Sequence, residues 1–480
     1  MPIFSPRRYQ PSYYPYARDN AGMRVYTWVE RQVKGILFGC RMCGNCVLQE
    51  TAFICPMTCP KGLRNGPCGG STPEACCVDP TRPCTWYLIY DRAERMGRSD
   101  RLLEILPPID GRQAGHEAIL DVFHYAREHH AGPRLSMLFK PAEFAEAWDQ
   151  LFYAIRQPDW WEGDDVYHPP AYEQPASRLE ADLQAGRFSV TAEIAPPLSV
   201  NQKGLRRKVH LLKHIVSAAN FTDNASATPR MSSMASSIAC MEEGLEPVLQ
   251  LQSRDRDRYA IEAEAMGAAA LGIRNILCLS GDHLSLGPGP TPRPVQNDMD
   301  AIQMLWMLRR MRDEGKYLDG RTIKTRPSFF LGAAASPYAA IPRYEAIRTE
   351  KKVNAGAQFI QTQPVFDLER FSEWLEAIEK RDLFDKVHIL AGIVPLKSPR
   401  AAHFMANDVP GVYIPDSILQ RMDAASDPQE EGVAIALELL DALKGMPGLS
   451  GVHIMAVHWE DIVPRLLSES GLERQVSQPT

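Results

Sequence analysis

Beyond residue 186 the chain alternates two kinds of hydrophobic pattern. Short strand-like apolar runs occur at Phe188–Ile194, Asn220–Asp223, Pro247–Gln252, Asn275–Leu279, Phe329–Ala334, Phe359–Thr362, His388–Ile393 and Val452–Val457. Between most of them the apolar positions recur at helical spacing, as in Arg258–Met266, Met299–Glu314, Tyr344–Asn354 and Gly432–Leu443. Eight strands with intervening helices over about 290 residues predict a (β/α)8 barrel, an α/β fold. A doubly wound open sheet is the alternative. It would carry a glycine-rich phosphate turn after its first strand, and Glu193-Ile194-Ala195-Pro196-Pro197 is not one.

Polar residues collect where these strands stop. Glu193 ends the first, Thr222 the second, Gln250 and Gln252 belong to the third, Ser280-Gly281-Asp282-His283 follows the fourth, and Gln363 follows the sixth. Each has a plain explanation by itself: a solvated loop acid, a turn former, a helix cap. Together they are costly for a core and ordinary for the catalytic face of a barrel.

Ahead of the barrel the pattern changes. Residues 22–37, 86–95, 115–128 and 141–156 read as helices, and a Tyr/Pro-rich stretch from Tyr9 to Tyr16 reads as an arm. Nine of the eleven cysteines fall between Cys40 and Cys84. Cys40, Cys43 and Cys46 form C-x2-C-x2-C, and Cys55, Cys59 and Cys68 follow among glycines and prolines that let loops fold around a common centre. Such local crowding suggests metal ligation rather than disulfides. The spacing suits a [4Fe–4S] cluster, four thiolates also suit zinc, and nine cysteines are enough for two centres, with the four that bind left open. Residues 1–156 are thus expected to form a cysteine-rich, mainly helical metal-binding domain, with 157–177 as a linker, 178–472 as the barrel and 473–480 as a tail.

Charge adds mainly exclusions. A formal −6 over 480 residues gives no footprint for nucleic acid. No apolar run reaches the roughly 20 residues that span a bilayer, and the N-terminus lacks a secretory apolar core. A cytoplasmic protein with no membrane partner is expected, and a homo-oligomer is left open.

Two stretches resemble a known family. Cys55-Pro56-Met57-Thr58-Cys59-Pro60-Lys61-Gly62 through Cys68-Gly69-Gly70 resembles the cysteine-rich partner domain of methylenetetrahydrofolate reductases, a subunit or fused module in some bacteria. Thr191–Pro197, Leu279–Asp282, Lys351–Asp367 and Gly392–Pro395 resemble the catalytic barrel of that family. The resemblance implies a flavin, FAD or else FMN, and hydride exchange with a folate-borne one-carbon unit, NAD(P)H or a redox protein being the electron donor. It implies Glu193 as general acid, Asp282 beside flavin and pterin, Gln363 as pterin ligand, and Thr222 and Lys352 as flavin contacts. This chain departs from the family at Ser280, where an arginine is usual, at Val248 in place of a histidine, and at Ala333–Tyr338. A methyltransferase or corrinoid-linked methyl carrier on a similar barrel is the rival reading; it would need neither flavin nor acid.

Overall fold

Eight short parallel strands close on themselves in sequence order: β1 Ser189–Ile194, β2 Ala218–Phe221, β3 Pro247–Gln252, β4 Asn275–Leu279, β5 Phe330–Ala335, β6 Phe359–Pro364, β7 His388–Ile393 and β8 Leu449–Ile454. The computed structural model describes residues 21–113, 125–156, 160–289 and 297–472. The expected arm, part of the expected helix 115–128 and the tail lie outside these. β1 pairs with β2 on one side and with β8 on the other, which seals the barrel. The expected barrel is therefore the observed one, and the open sheet is excluded.

Strand boundaries shift from expectation by at most three residues, and β2 and β8 shift farthest, at both ends. β2 starts at Ala218, two residues early, because small alanines pass for loop while being fully buried. β8 begins at Leu449 and stops at Ile454, three residues before the expected end. Its Gly451 is required: a Cβ there would lie 2.0 Å from the Ser189 carbonyl oxygen across the strand pair.

Helix Arg178–Gln184 plugs the amino-terminal end of the barrel. Its Leu179 and Leu183 pack with Ala218, Val248, Leu277, Phe330, Phe359 and Leu390, drawn from six strands. That end is dry, so chemistry is confined to the other. The stretch expected to be a linker is packed rather than loose. Trp161 is fully buried in the barrel's main core, its indole N–H donates to the Ile105 carbonyl, and its own carbonyl accepts from Trp306 Nε1.

The cysteine-rich region sits over the carboxyl ends of β4 and β5. It contains helices Ala21–Phe38 and Thr85–Arg95, with irregular loops carrying the cysteines between them. Asp300 ties it down. One carboxylate oxygen caps helix Ala301–Asp313 through Ile302 and Gln303 N–H. The other accepts from Arg64 N–H at 3.1 Å and Asn65 Nδ2 at 3.0 Å. Lys61 donates to the Gly281 carbonyl, and Glu94 pairs with Arg343 and Tyr344 at the start of helix Pro342–Asn354.

Asp300 is buried and serves both halves of the chain. Replacing it with alanine removes a helix cap and strands two donors, a cost of about 2–4 kcal/mol. Urea unfolding of Asp300→Ala should show that loss, and limited proteolysis should cut the 61–70 loop faster than in the parent chain. An unchanged midpoint would show that the docking does not depend on this carboxylate.

Candidate active site at the barrel mouth

The barrel interior carries a polar layer below its mouth. Thr191 of β1, Asn220 of β2, Gln361 of β6 and His453 of β8 are all buried. Asn220 Nδ2 donates to Gln361 Oε1 at 2.7 Å, and Gln361 Nε2 donates back to Asn220 Oδ1 and across to Thr191 Oγ1, each at 3.1 Å. Thr191 Oγ1 lies 2.9 Å from His453 Nδ1, and Gln361 Nε2 lies 3.3 Å from the same nitrogen. Gln361 Nε2 has two hydrogens for these three neighbours; with the Thr191 hydroxyl donating to Nδ1, the ring proton falls on Nε2.

That proton faces Glu193, one inward position nearer the mouth than Thr191. His453 Nε2 stands 3.8 Å from Glu193 Oε2, and Gln250 Nε2 donates to the same oxygen at 3.0 Å. The carboxyl group is 22% exposed, so it is held from below and open from above. Neither supporting group was singled out for this role in the sequence. His453 was hidden because a polar residue inside an apolar strand reads as an interruption.

The loop after β4 brings Asp282 to the same rim. Gly281 adopts φ +74°, and a Cβ there would lie 2.2 Å from Gln252 Oε1, so only glycine lets the loop lie against β3. Asp282 Oδ2 accepts from Ser226 N–H at 2.8 Å, and its carbonyl accepts from Arg254 Nη1. Asn224, Ser226 and Ala227 of the β2 loop all have positive φ. That uncommon backbone aims the Ser226 N–H at the carboxylate. Ser280, in place of the family's arginine, accepts from Ala301 N–H with its hydroxyl. His283 is a loop neighbour bonded to Ser285, its imidazole pulled below the ordinary range by burial and by Lys61.

Gln363 lies where the β6–β7 register shifts, between Gln361 and Pro364. Such irregularities re-aim side chains near sites. Its half-buried amide takes no hydrogen-bond partner among the described residues, whereas the loop beyond it is fixed. Tyr338 Oη accepts from Phe366 N–H and Asp367 N–H and donates to the Asp367 carbonyl. The sequence showed Tyr338 only as a departure at the fifth strand; the structure makes it the staple of the Gln363 turn.

The two expected flavin contacts part company. Thr222 is buried, and its hydroxyl has no partner among the described residues, as a group awaiting a ligand would. Lys352 points inward. Its ammonium donates to the Ala334 carbonyl at 2.6 Å, stands 3.7 Å from Glu345 and is 1% exposed. A phosphate cannot reach it in this arrangement, so the expected phosphate pairing is not met. The reason is local: Glu345 and Arg348 on the same helix already satisfy the charge balance around it.

The six expected metal ligands do not all line one cavity. Cys40, Cys43, Cys46 and Cys55 line a common cavity with Lys34 and Arg64. Cys59 and Cys68 lie elsewhere, Cys68 with its Sγ 3.0 Å from that of Cys77. Among the described residues no three His, Cys, Asp or Glu side chains are set to hold a single metal ion. Cys68 and Cys77, 3.0 Å apart, are set closer than the thiolates of a tetrahedral zinc, which stand about 3.8 Å apart, or of a cluster, which stand wider.

Comparison with known proteins now decides the family. The family profile described as methylenetetrahydrofolate reductase matches residues 178–471. The chain belongs to the methylenetetrahydrofolate reductase family. A second profile, described as methylene-tetrahydrofolate reductase C terminal, matches residues 20–112, so a region named for a C-terminal position here precedes the barrel. A probable methylenetetrahydrofolate reductase (NADPH) of Caenorhabditis elegans is 24% identical over 328 residues, covering 65% of this chain and 46% of that protein. Methylenetetrahydrofolate reductase 1 of Schizosaccharomyces pombe is 27% identical over 236 residues, covering 48% and 36%. The chain thus spans less than half the length of these relatives. A Clostridium thermocellum protein described as binding two copies of 5-methyl-5,6,7,8-tetrahydrofolic acid aligns with a TM-score of 0.43 and 14% identity, over 62% of this chain and 96% of that one. Among the described residues no helix is long and apolar enough to cross a membrane.

Burial pulls the Lys352 ammonium down to about 7, with Arg348 adding repulsion and Glu345 opposing. An unfolded lysine titrates near 10.4. Between about pH 7 and 10 the unfolded chain therefore binds the extra proton, and stability gains from rising pH. Denaturant unfolding at pH 7 and pH 9 should show a slope about 1 kcal/mol per pH unit more positive in the parent chain than in Lys352→Met. Equal slopes would mean that Lys352 keeps its ordinary titration.

Proposed function

We propose that the barrel interconverts 5,10-methylenetetrahydrofolate and 5-methyltetrahydrofolate, using a flavin at its mouth and electrons that pass through the cysteine-rich region. The observation that carries this reading is the setting of Glu193. One half-open carboxyl group is held by Gln250 and faced by the His453 N–H, at the mouth of a barrel that belongs to this family.

The division of labour follows from the side chains. Gln363, with its uncommitted amide on a fixed turn, hydrogen-bonds the pterin edge and orients the folate. Glu193 delivers a proton to the folate N10 as the methylene bridge opens to an iminium at N5; in the reverse direction it takes that proton back. His453 and Gln250 hold the carboxyl group in place and bear its charge once the proton has left. Asp282, fixed by Ser226 and Arg254, sets a negative group beside the pterin and the flavin. Thr222 offers its unpaired hydroxyl to the flavin, FAD or FMN. When bound, that cofactor supplies or accepts the hydride exchanged with the one-carbon unit. Lys352 holds the end of β5 through the Ala334 carbonyl and takes no part in binding phosphate in this reading.

The cysteine-rich region lies against the β4 and β5 loops, and Lys61 reaches the residue next to Asp282. Iron–sulfur chemistry there would bring electrons to the mouth from NAD(P)H or a redox protein. The folate, not a nucleic acid or a membrane, is the partner of the barrel.

The purified chain should show flavin absorbance, as isolated or after flavin is added. Glu193→Gln should cut folate reduction about 10²–10⁴-fold while folate and flavin remain bound. A colourless protein that takes up no flavin, or undiminished reduction by Glu193→Gln, would overturn the assignment in favour of methyl transfer without redox chemistry.

A further inference from the structure

Three successive carbonyls of the loop that carries Asp282, those of Ser280, Gly281 and Asp282, each accept a hydrogen bond from a side chain on a different element. Asn297 Nδ2 donates to Ser280 at 2.8 Å, Arg254 Nη1 to Asp282 at 3.1 Å, and Lys61 Nζ to Gly281. Asn297 leads into the helix after β4 and Arg254 follows β3, so two of these holds come from the barrel. The third comes from the cysteine-rich region. Lys61 is buried, only 6% exposed. It sits third in the turn Cys59-Pro60-Lys61-Gly62, which is closed by the Gly62 N–H on the Cys59 carbonyl at 3.0 Å. Proline in second place and a glycine at φ +68° in fourth suit such a turn. Asn297 N–H donates to the Lys61 carbonyl at 3.1 Å, so the backbone and the ammonium of this one residue are both committed to the barrel.

We propose that Lys61 is a positioning residue for Asp282, so that the cysteine-rich region completes the catalytic rim of the barrel as well as lying beside it. The inference rests on the function proposed above, which sets Asp282 beside pterin and flavin. Its physical basis is the peptide bond. The Gly281 carbonyl and the Asp282 N–H lie in one rigid plane, and the Asp282 side chain springs from the carbon at its edge. Gly281 has no Cβ and a φ of +74°, so its own conformational preference does little to fix that plane. A charge-assisted hydrogen bond from a buried ammonium does fix it. Asp282 Oδ2 then accepts from Ser226 N–H at 2.8 Å, a contact that needs the plane in place.

A purely structural role fits this lysine poorly. Taking an ammonium out of water is costly, and a methionine of similar length would fill the same space without that cost. Stability therefore gives no reason to place a charge here, whereas direction does. The seating of the two regions is secured separately, by Asp300 on Arg64 N–H and Asn65 Nδ2. Loss of the Lys61 contact thus leaves the regions docked and frees only the loop.

Folate reduction should be measured with a reduced viologen, which can reduce a flavin directly, in the whole chain and in Lys61→Met, Lys61→Arg, Asp282→Ala and the double variant Lys61→Met/Asp282→Ala. Lys61→Met should lose about 10–100-fold in kcat, and Lys61→Arg should regain most of it. In the Asp282→Ala background Lys61→Met should cost about twofold at most, since the group it places is already gone. Amide hydrogen exchange over residues 224–228 gives a reading that needs no activity. It should rise in Lys61→Met as it should in Asp282→Ala, because the Ser226 N–H loses its acceptor. Lys61→Gln, one atom shorter and uncharged, supplies the same comparison if methionine at this position fails to fold. Parent-like exchange and rate in Lys61→Met, or a loss that simply multiplies that of Asp282→Ala, would overturn the proposal. A parent chain that neither binds flavin nor reduces folate would overturn the proposed function instead, and the exchange at Ser226 would still decide the role of Lys61.

Discussion

One buried carboxylate joins the two halves of this molecule. Asp300 caps the helix that follows β4 with one oxygen and holds the Arg64–Asn65 turn of the cysteine-rich region with the other. A carboxylate taken out of water is tolerated only when its hydrogen bonds are supplied, and here the donors come from residues more than 230 positions apart in the chain. The cysteine loops therefore have one place to sit, and that place is the rim of the barrel. Lys61 on the Gly281 carbonyl and Gly69 against Ser336 follow from the same seating. The loop that carries Asp282 is thus shaped partly by the barrel and partly by the region laid over it.

Beneath the rim the barrel trades apolar packing for a closed hydrogen-bond circuit. Thr191, Asn220, Gln361 and His453 satisfy one another, so the layer costs little despite full burial. What the circuit adds is direction. It holds the His453 ring with Nε2 toward Glu193, and Gln250 holds the same carboxyl oxygen from the side. A group that must give up and recover a proton gains from partners that stay put in both states.

The alternation of apolar runs made the barrel readable, because strands buried on both faces and amphipathic helices leave different marks on a sequence. The strand-end positions of Glu193, Asp282 and Gln363 were readable for the same reason: polar residues at the end of a buried run stand out. The supporting residues were not. His453 and Asn220 sit within strands, where their partners lie up to 262 positions away and leave no local pattern. For Lys352 the motif gives a place along the chain but not the direction of the ammonium, which Ala334 and Glu345 turn inward. Among the cysteines, spacing marked the compact C-x2-C-x2-C run. It could not show Cys77 lying against Cys68, since that loop closes through Ser71.

In the function proposed above, barrel mouth and cysteine-rich region act as one electron-carrying unit. The most direct measurement is to add 5-methyltetrahydrofolate to the oxidised whole chain without oxygen or any dye, and to follow the iron–sulfur absorbance through one turnover. This absorbance should bleach as 5,10-methylenetetrahydrofolate forms. If folate is oxidised once an artificial acceptor is added, while the iron–sulfur absorbance never changes, the two regions are neighbours in space and nothing more.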